Sequence, residues 1–304
     1  MKKGNFKGFE MFKKLAIFII ITLTIVNLEA RVYRFGAIAT VDSKILKNRF
    51  QPLLDYLSKE TGERFIFDTG KDYDETIGKF INGYFDLGYI GPSPYVIAKR
   101  IAKDRIKIIA GVETNFTPYF RAVIFTRRDS NLKSIADLKG KEFAFGSYRS
   151  TLSFYLPYYM LLQNGVIGSL AGFDFLGRHD VVIKNVIMGK YDAGGVKMCV
   201  AQKYKKFIKI LAESEPVIDF AIVVNSSMDS KLVKKIQEAL FKLKDTKILN
   251  SIKPNMTGFG VRSDKDYNRV REIMDIVDKD IRKRIGSSLY FDKLLFFATL
   301  SHKL

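Results

Sequence analysis

Two short stretches place hydroxyl groups where an apolar run gives way to a helix. In "YIGPSPYV" (89–96), Gly91 and Pro92 turn the chain sharply off a strand-like run. Ser93 is a good N-cap there, and Pro94 suits a first helical position, where its missing N–H costs nothing. Tyr95, in the first turn, can bring a phenol to the same spot. In "FAFGSYRSTLSFYLP" (143–157) the device recurs, with Ser150 and Thr151 opening the helix and Arg149 beside them. The first N–H groups of a helix have no intrahelical acceptor, and they carry partial positive charge. With hydroxyls added, such a mouth suits a small anion with several acceptor oxygens, each charge-assisted bond contributing about 1.5–3 kcal/mol. Each stretch alone also reads as an ordinary capped turn; two in one chain favour the ligand-binding reading.

A third element is "GRHDVVIKNVIMGKYDAGGVK" (177–197). His179 opens a helix just after a strand, on the same rim as Ser150 if the sheet is parallel. The other histidine, His302, lies near the C-terminus. No His, Cys and carboxylate cluster has the spacing of a metal site, so neither metal nor cofactor is expected. There is no Gly-rich phosphate loop and no nucleophile elbow. Asp72, Asp74 and Glu75 sit in a helix first turn, where acids are expected on dipole grounds alone. The pattern points to recognition rather than catalysis.

The elements that must position these residues alternate. Strand-like "RVYRFGAIA", "RFIFDTG", "FDLGYIG" and "IKIIAGVE" are separated by helical patterns, the first ending on Gly62. Such alternation implies βαβ units with parallel pairing. A second series runs from about residue 142 to 211. Long extended stretches, 118–128 and 216–227, separate the two, and the remainder reads as helical. If both stretches cross between lobes, the second lobe is an insertion in the first. The expected division is residues 31–120 and 221–304 for one lobe and 121–220 for the other. Ligands of such open sheets sit beyond the strand carboxyl ends.

Residues 1–30 combine a lysine-rich start, an apolar run of about 12 residues from Leu15 to Val26, and Ala30 at the boundary. That order describes an export signal, and the run falls short of the roughly 20 residues a membrane span needs. An uncleaved membrane anchor is the alternative. The single cysteine, Cys199, excludes an internal disulfide, so the fold must rest on its core. Residues 1–30 hold five lysines and two glutamates, so the net charge of +19 falls to +16 without them. A basic surface suits anionic partners, and export argues against nucleic acid.

"DLGYIGPSPYVIA", "DLKGKEFAFGSYRSTLSFYLPYYML", "GRHDVVIKNVIMGKYDAGGV" and "FGVRSDKDYNRVREI" together resemble the periplasmic substrate-binding proteins of phosphate/phosphite/phosphonate ABC transporters, over roughly 31–275. The resemblance implies a type II periplasmic binding fold: two α/β lobes with mixed, mainly parallel sheets, joined by two crossover strands and closing on an oxyanion. It implies a small anionic ligand and a membrane permease as partners; a periplasmic sensor feeding a histidine kinase or chemoreceptor is the alternative. Matched by position, it assigns the ligand to Ser150, Thr151, Tyr95 and His179, with Ser93 at the first helix start. "STLS" departs from the family's usual Ser-Thr-Ser-Gly, and Lys197 stands where relatives present an acid or amide. A lysine there repels an ammonium and favours a second negative charge. For export, mass measurement of the protein recovered from its periplasm should give an N-terminus near Arg31; full-length chain in the membrane fraction would show the anchor instead.

Overall fold

The computed structural model describes residues 31–286; the expected export signal and nearly all of the apolar tail 286–304 lie outside the described residues. The chain runs β1 (Val32–Ala37), α1 (Ser43–Thr61), β2 (Arg64–Asp68), α2 (Tyr73–Ile81), β3 (Leu87–Ile90), α3 (Pro92–Ala102) and β4 (Ile106–Thr114). After the short β5 (Tyr119–Phe120) come β6 (Ala122–Arg127), β7 (Glu142–Phe145), a π turn (Thr151–Tyr155) continuing into α4 (Leu156–Gln163), and β8 (Gly172–Phe175). Then follow α5 (His179–Ile187), β9 (Ala193–Lys197), α6 (Met198–Lys203), β10 (Ile208–Glu213) and the short β11 (Val217–Ile218). The chain returns through β12 (Ala221–Asn225), α7 (Ser230–Lys242), α8 (Thr246–Ile252), β13 (Met256–Gly260) and α9 (Asn268–Arg284).

Two sheets result, ordered β13-β4-β12-β3-β1-β2 and β10-β6-β9-β7-β8. Parallel ladders join β1 to β2 and β3, and β7 to β8 and β9. The other five ladders of these sheets are antiparallel. The sheets are therefore mixed but not mainly parallel, which corrects the expected balance. Helical crossovers return a strand parallel to its predecessor. β6 and β12 instead arrive straight from the other lobe and enter running the opposite way. The two crossing segments pair with each other, Phe120 opposite Val217 and Tyr119 opposite Ile218. That two-stranded ribbon is the hinge.

Local chemistry explains most boundaries. The Asp42 carboxylate accepts from the Lys44 N–H at 2.9 Å to start α1, and Gly62, at φ 79°, stops it. Between them Leu46, Phe50, Leu53, Leu54 and Leu57 bury one stripe. In "DAGGV", a Cβ on Gly194 would lie 2.7 Å from Val182, and one on Gly195 would lie 2.5 Å from Pro157. These glycines let α5 and α4 press onto opposite faces of β9, and so fix the two helices that carry His179 and Ser150.

The segment 221–304, expected to complete the first lobe, divides. β12 and β13 join the first sheet, whereas α9 lies across the seam, packing on α3 and α4. Tyr158 donates to Asp280 at 2.9 Å, and Arg269 pairs with Glu215 at 2.7 Å, both tying α9 to the second lobe. β13 was not anticipated: "MTGFG" shows no clear alternation, and it is a strand because the edge of β4 is there to pair with it. Replacing Gly195 with valine should overpack the β9–α4 contact and lower stability by about 1–3 kcal/mol in chemical denaturation.

Candidate functional site

A cavity of about 440 Å³ lies between the lobes, lined by Tyr73, Tyr89, Pro92, Ser150, Thr151, Leu152, His179 and Lys197 among others. Its centre is the mouth of the π turn. Ser150 is the cap: its hydroxyl accepts from the Ser153 N–H at 3.2 Å, while Tyr155 N–H reaches back to the Ser150 carbonyl at 3.1 Å. The widened turn has a physical cause. Pro157 has no N–H to give the carbonyl of Ser153, and its ring would crowd that carbonyl in a regular helix. The Ser153 carbonyl accepts instead from Gly146 N–H at 3.0 Å. The opening N–H groups of Thr151 and Leu152, having no intrahelical acceptors, are left at the cavity wall.

The first-lobe mouth is built otherwise. The helix begins at Pro92 with Gly91 as N-cap, two residues earlier than the Ser93 cap expected. Pro92 and Pro94 have no N–H, and Tyr95 N–H returns to the Gly91 carbonyl at 2.9 Å. Ser93 N–H donates to Thr151 Oγ1 at 2.9 Å, and the Ser93 hydroxyl donates to the Arg149 carbonyl at 2.7 Å. Ser93 is fully buried and does not line the cavity. Tyr95 points elsewhere too: its hydroxyl donates to Asp264 at 2.6 Å and its ring packs on Tyr267. Ser93 and Tyr95 are thus corrections to the expected ligand set. The prolines remove two donors from this helix end, and the Ser93 N–H between them is given to the other lobe.

Ser150, Thr151, His179 and Lys197 are brought together. His179 Nδ1 accepts from the Lys197 backbone N–H at 3.3 Å. That bond leaves the ring proton on Nε2, a donor. Burial, then the neighbouring Lys197 charge, lowers the imidazole from 6.5 to about 4, so it is neutral at physiological pH. Arg149 is not a ligand group; its guanidinium donates to Asp74 of the other lobe at 2.7 Å and stacks on Tyr148.

Sequence reasoning missed Tyr73, whose hydroxyl meets that of Ser150 across the cleft, and whose burial pushes its pKa up to about 12. It therefore stays a protonated donor. Its position directly after the Asp72 cap of α2 was the available signal. Lys253 was missed as well. It pairs with Asp219 and lies over the Phe120 ring, having come from the turn after α8.

A family model described as "ABC transporter, phosphonate, periplasmic substrate-binding protein" matches residues 35–267. The chain belongs to that family, one of binding proteins rather than enzymes. A phosphate-import protein of Mycolicibacterium smegmatis is 29% identical over 52% of this chain and 53% of its own. A probable ABC transporter phosphite-binding protein of Prochlorococcus marinus is 29% identical over 55% of this chain and 58% of its own. In both cases the chain spans little more than half the relative's length. A solved Prochlorococcus marinus structure, in complex with methylphosphonate, superposes with a TM-score of 0.75 at 23% identity, covering 82% of this chain and 99% of that one. The fold is the type II periplasmic binding protein fold.

The neutral histidine has a measurable consequence. Between about pH 6.5 and 4 the unfolded chain takes up a proton that the folded His179 refuses. Its contribution to stability is complete above pH 6.5 and is lost as the pH falls toward 4. Thermal melts at pH 7 and pH 4.5 should therefore show a larger drop for the parent than for His179→Gln.

Proposed function

We propose that this chain is an exported binding protein that captures a small phosphorus oxyanion (phosphate, phosphite or a phosphonate) between its lobes and delivers it to the permease of an ABC transporter. One observation carries the reading. The Ser150–Thr151 helix mouth, the Nε2–H of a neutral His179 and the Tyr73 phenol converge on one cavity, with Lys197 supplying positive charge. These groups replace water around an anion; none is arranged as a nucleophile with its base. The names of the relatives agree with this ligand class, and periplasmic residence follows from it.

Thr151 explains how binding reports on closure. Its Oγ1 accepts from Ser93 N–H and lies 2.8 Å from the Ser93 hydroxyl, whose own proton goes to Arg149. Thr151 therefore has a lone pair on the opposite lobe and one proton to place, on Ser93 or on an anion. A ligand seated at the mouth touches a residue that already bridges both lobes.

Double replacement Ser150→Ala/Thr151→Ala removes the hydroxyls and keeps the backbone N–H groups. Calorimetric titration with phosphate, phosphite and methylphosphonate should show binding weakened at least tenfold (about 1.4 kcal/mol or more). Loss of a cap alone would lower stability by about 1 kcal/mol and leave affinity unchanged. A variant that melts lower yet binds as tightly as the parent would move the site elsewhere.

A further inference from the structure

The cleft continues past the helix mouth. Beyond the first cavity a second, of about 670 Å³, opens toward the hinge. Lys197, Lys253 and Phe120 line both, whereas Ser150, Thr151 and His179 line the first alone. The two lysines thus stand at the passage between them. Lys197 Nζ lies 5.1 Å from the centre of the Phe120 ring and 5.2 Å from that of Phe220, and Lys253 Nζ lies 5.5 Å from Phe120. Two ammonium groups therefore share one aromatic ring of the hinge.

The charges here do not balance. Asp219, almost wholly buried, pairs with Lys253 and accepts from the Phe220 N–H at 2.8 Å. The carboxylates on the cavity walls are engaged: Asp42 caps α1 and Asp180 pairs with Arg178 at 3.2 Å. Among the described residues, no carboxylate pairs with the Lys197 ammonium, and Arg49 lines the first cavity too. Burial first, and then the Lys197 charge, hold Lys253 down to about 8, so the two ammonium groups repel each other across the passage. An ammonium-bearing tail would add to that repulsion. There is also room: a water needs only about 10–15 Å³, so a lone tetrahedral oxyanion leaves most of the first cavity, at about 440 Å³, unfilled.

We propose that the ligand is a phosphonate carrying a second anionic group, a carboxylate, at the end remote from phosphorus. The phosphonate head sits at the Ser150–Thr151 mouth, the short carbon linker lies along Phe120 and Phe220, and the carboxylate meets Lys197, with Lys253 behind it. This rests on the reading of the mouth as the seat of the phosphorus oxyanion. It makes Lys197 the residue that sets specificity, since Lys253 is already bound to Asp219.

The test is calorimetric titration of the mature protein at low salt with methylphosphonate, phosphonoacetate, phosphonopropionate and aminoethylphosphonate. One of the two phosphonocarboxylates should bind at least about tenfold tighter than methylphosphonate, as one added charge-assisted bond implies, and aminoethylphosphonate should bind more weakly. In Lys197→Gln the ratio of phosphonocarboxylate to methylphosphonate affinity should fall to near one, whatever the common loss in affinity. The advantage should shrink in high salt. If methylphosphonate binds and the carboxylate adds nothing, or if Lys197→Gln weakens every ligand equally, the distal site is wrong and the proposed function stands. If no phosphorus oxyanion binds at all, the proposed function fails and takes this inference with it. The comparison on the parent chain decides between these results even if a variant folds poorly.

Discussion

A helix that opens onto a cleft exposes N–H groups that need an acceptor, and the two lobes meet this demand in opposite ways. At α3, Pro92 and Pro94 remove two donors, Tyr95 N–H is satisfied within the turn, and Ser93 N–H is given to Thr151. At the π turn, Pro157 widens the first turn and the Ser153 carbonyl goes to Gly146, so the donors at Thr151 and Leu152 stay on the cavity wall. One mouth is a clasp and the other leaves its donors facing the cleft. The asymmetry follows from where prolines fall, because a proline at the very start of a helix deletes donors, while one a turn inside displaces an acceptor.

Because the clasp closes on Thr151 itself, the site and the seam share a residue. Tyr73 meeting Ser150 and Asp74 pairing with Arg149 repeat the theme, since α2 of one lobe faces the serine-threonine turn of the other. A continuous apolar cluster runs from Ile77, Phe80 and Val96 through Phe145, Phe154 and Tyr158 to Val270 and Val277. Helix α9 covers that seam from outside. Interlobe contact here is thus partly a buried apolar surface, whose burial contributes roughly 25 cal/mol for each Å² removed from water, and partly a set of directional bonds around the mouth.

The hinge is more than a connector. Crossing segments that pair as β5 and β11 bring Phe120 and Phe220 to the cavity floor, with their rings 6.0 Å apart. Asp219 between them anchors Lys253, and its backbone carbonyl accepts from the Tyr267 hydroxyl at 3.0 Å. Charge at the floor is therefore attached to the ribbon that joins the lobes. A ligand that reaches Lys197 engages the hinge as well as both walls.

Much of this was legible in the chain. The alternation of apolar runs with amphipathic patterns determined the βα units, since burial on a sheet face imposes period two and on a helix face a period near 3.6. The motif "SYRST" determined a capped helix start, and the punctuation around Pro92 and Pro94 determined that a helix begins there, though at Pro92 rather than Pro94. Tertiary structure decided the rest. Tyr95 and Tyr73 are both first-turn tyrosines at strand-to-helix turns, and nothing local distinguishes them. One is turned onto Asp264 and the other into the cleft because of what the turn before α9 and the second lobe place beside them. Lys253 follows a short helix of unremarkable sequence, and only the return of the chain through β12 brings Asp219 and Phe120 to it. Pairing direction was likewise not written in any strand, because an apolar run of strand type is compatible with either; the route between lobes fixed it. Local sequence sets which backbone groups are capped or freed, whereas the neighbours that satisfy them arrive from residues far away along the chain.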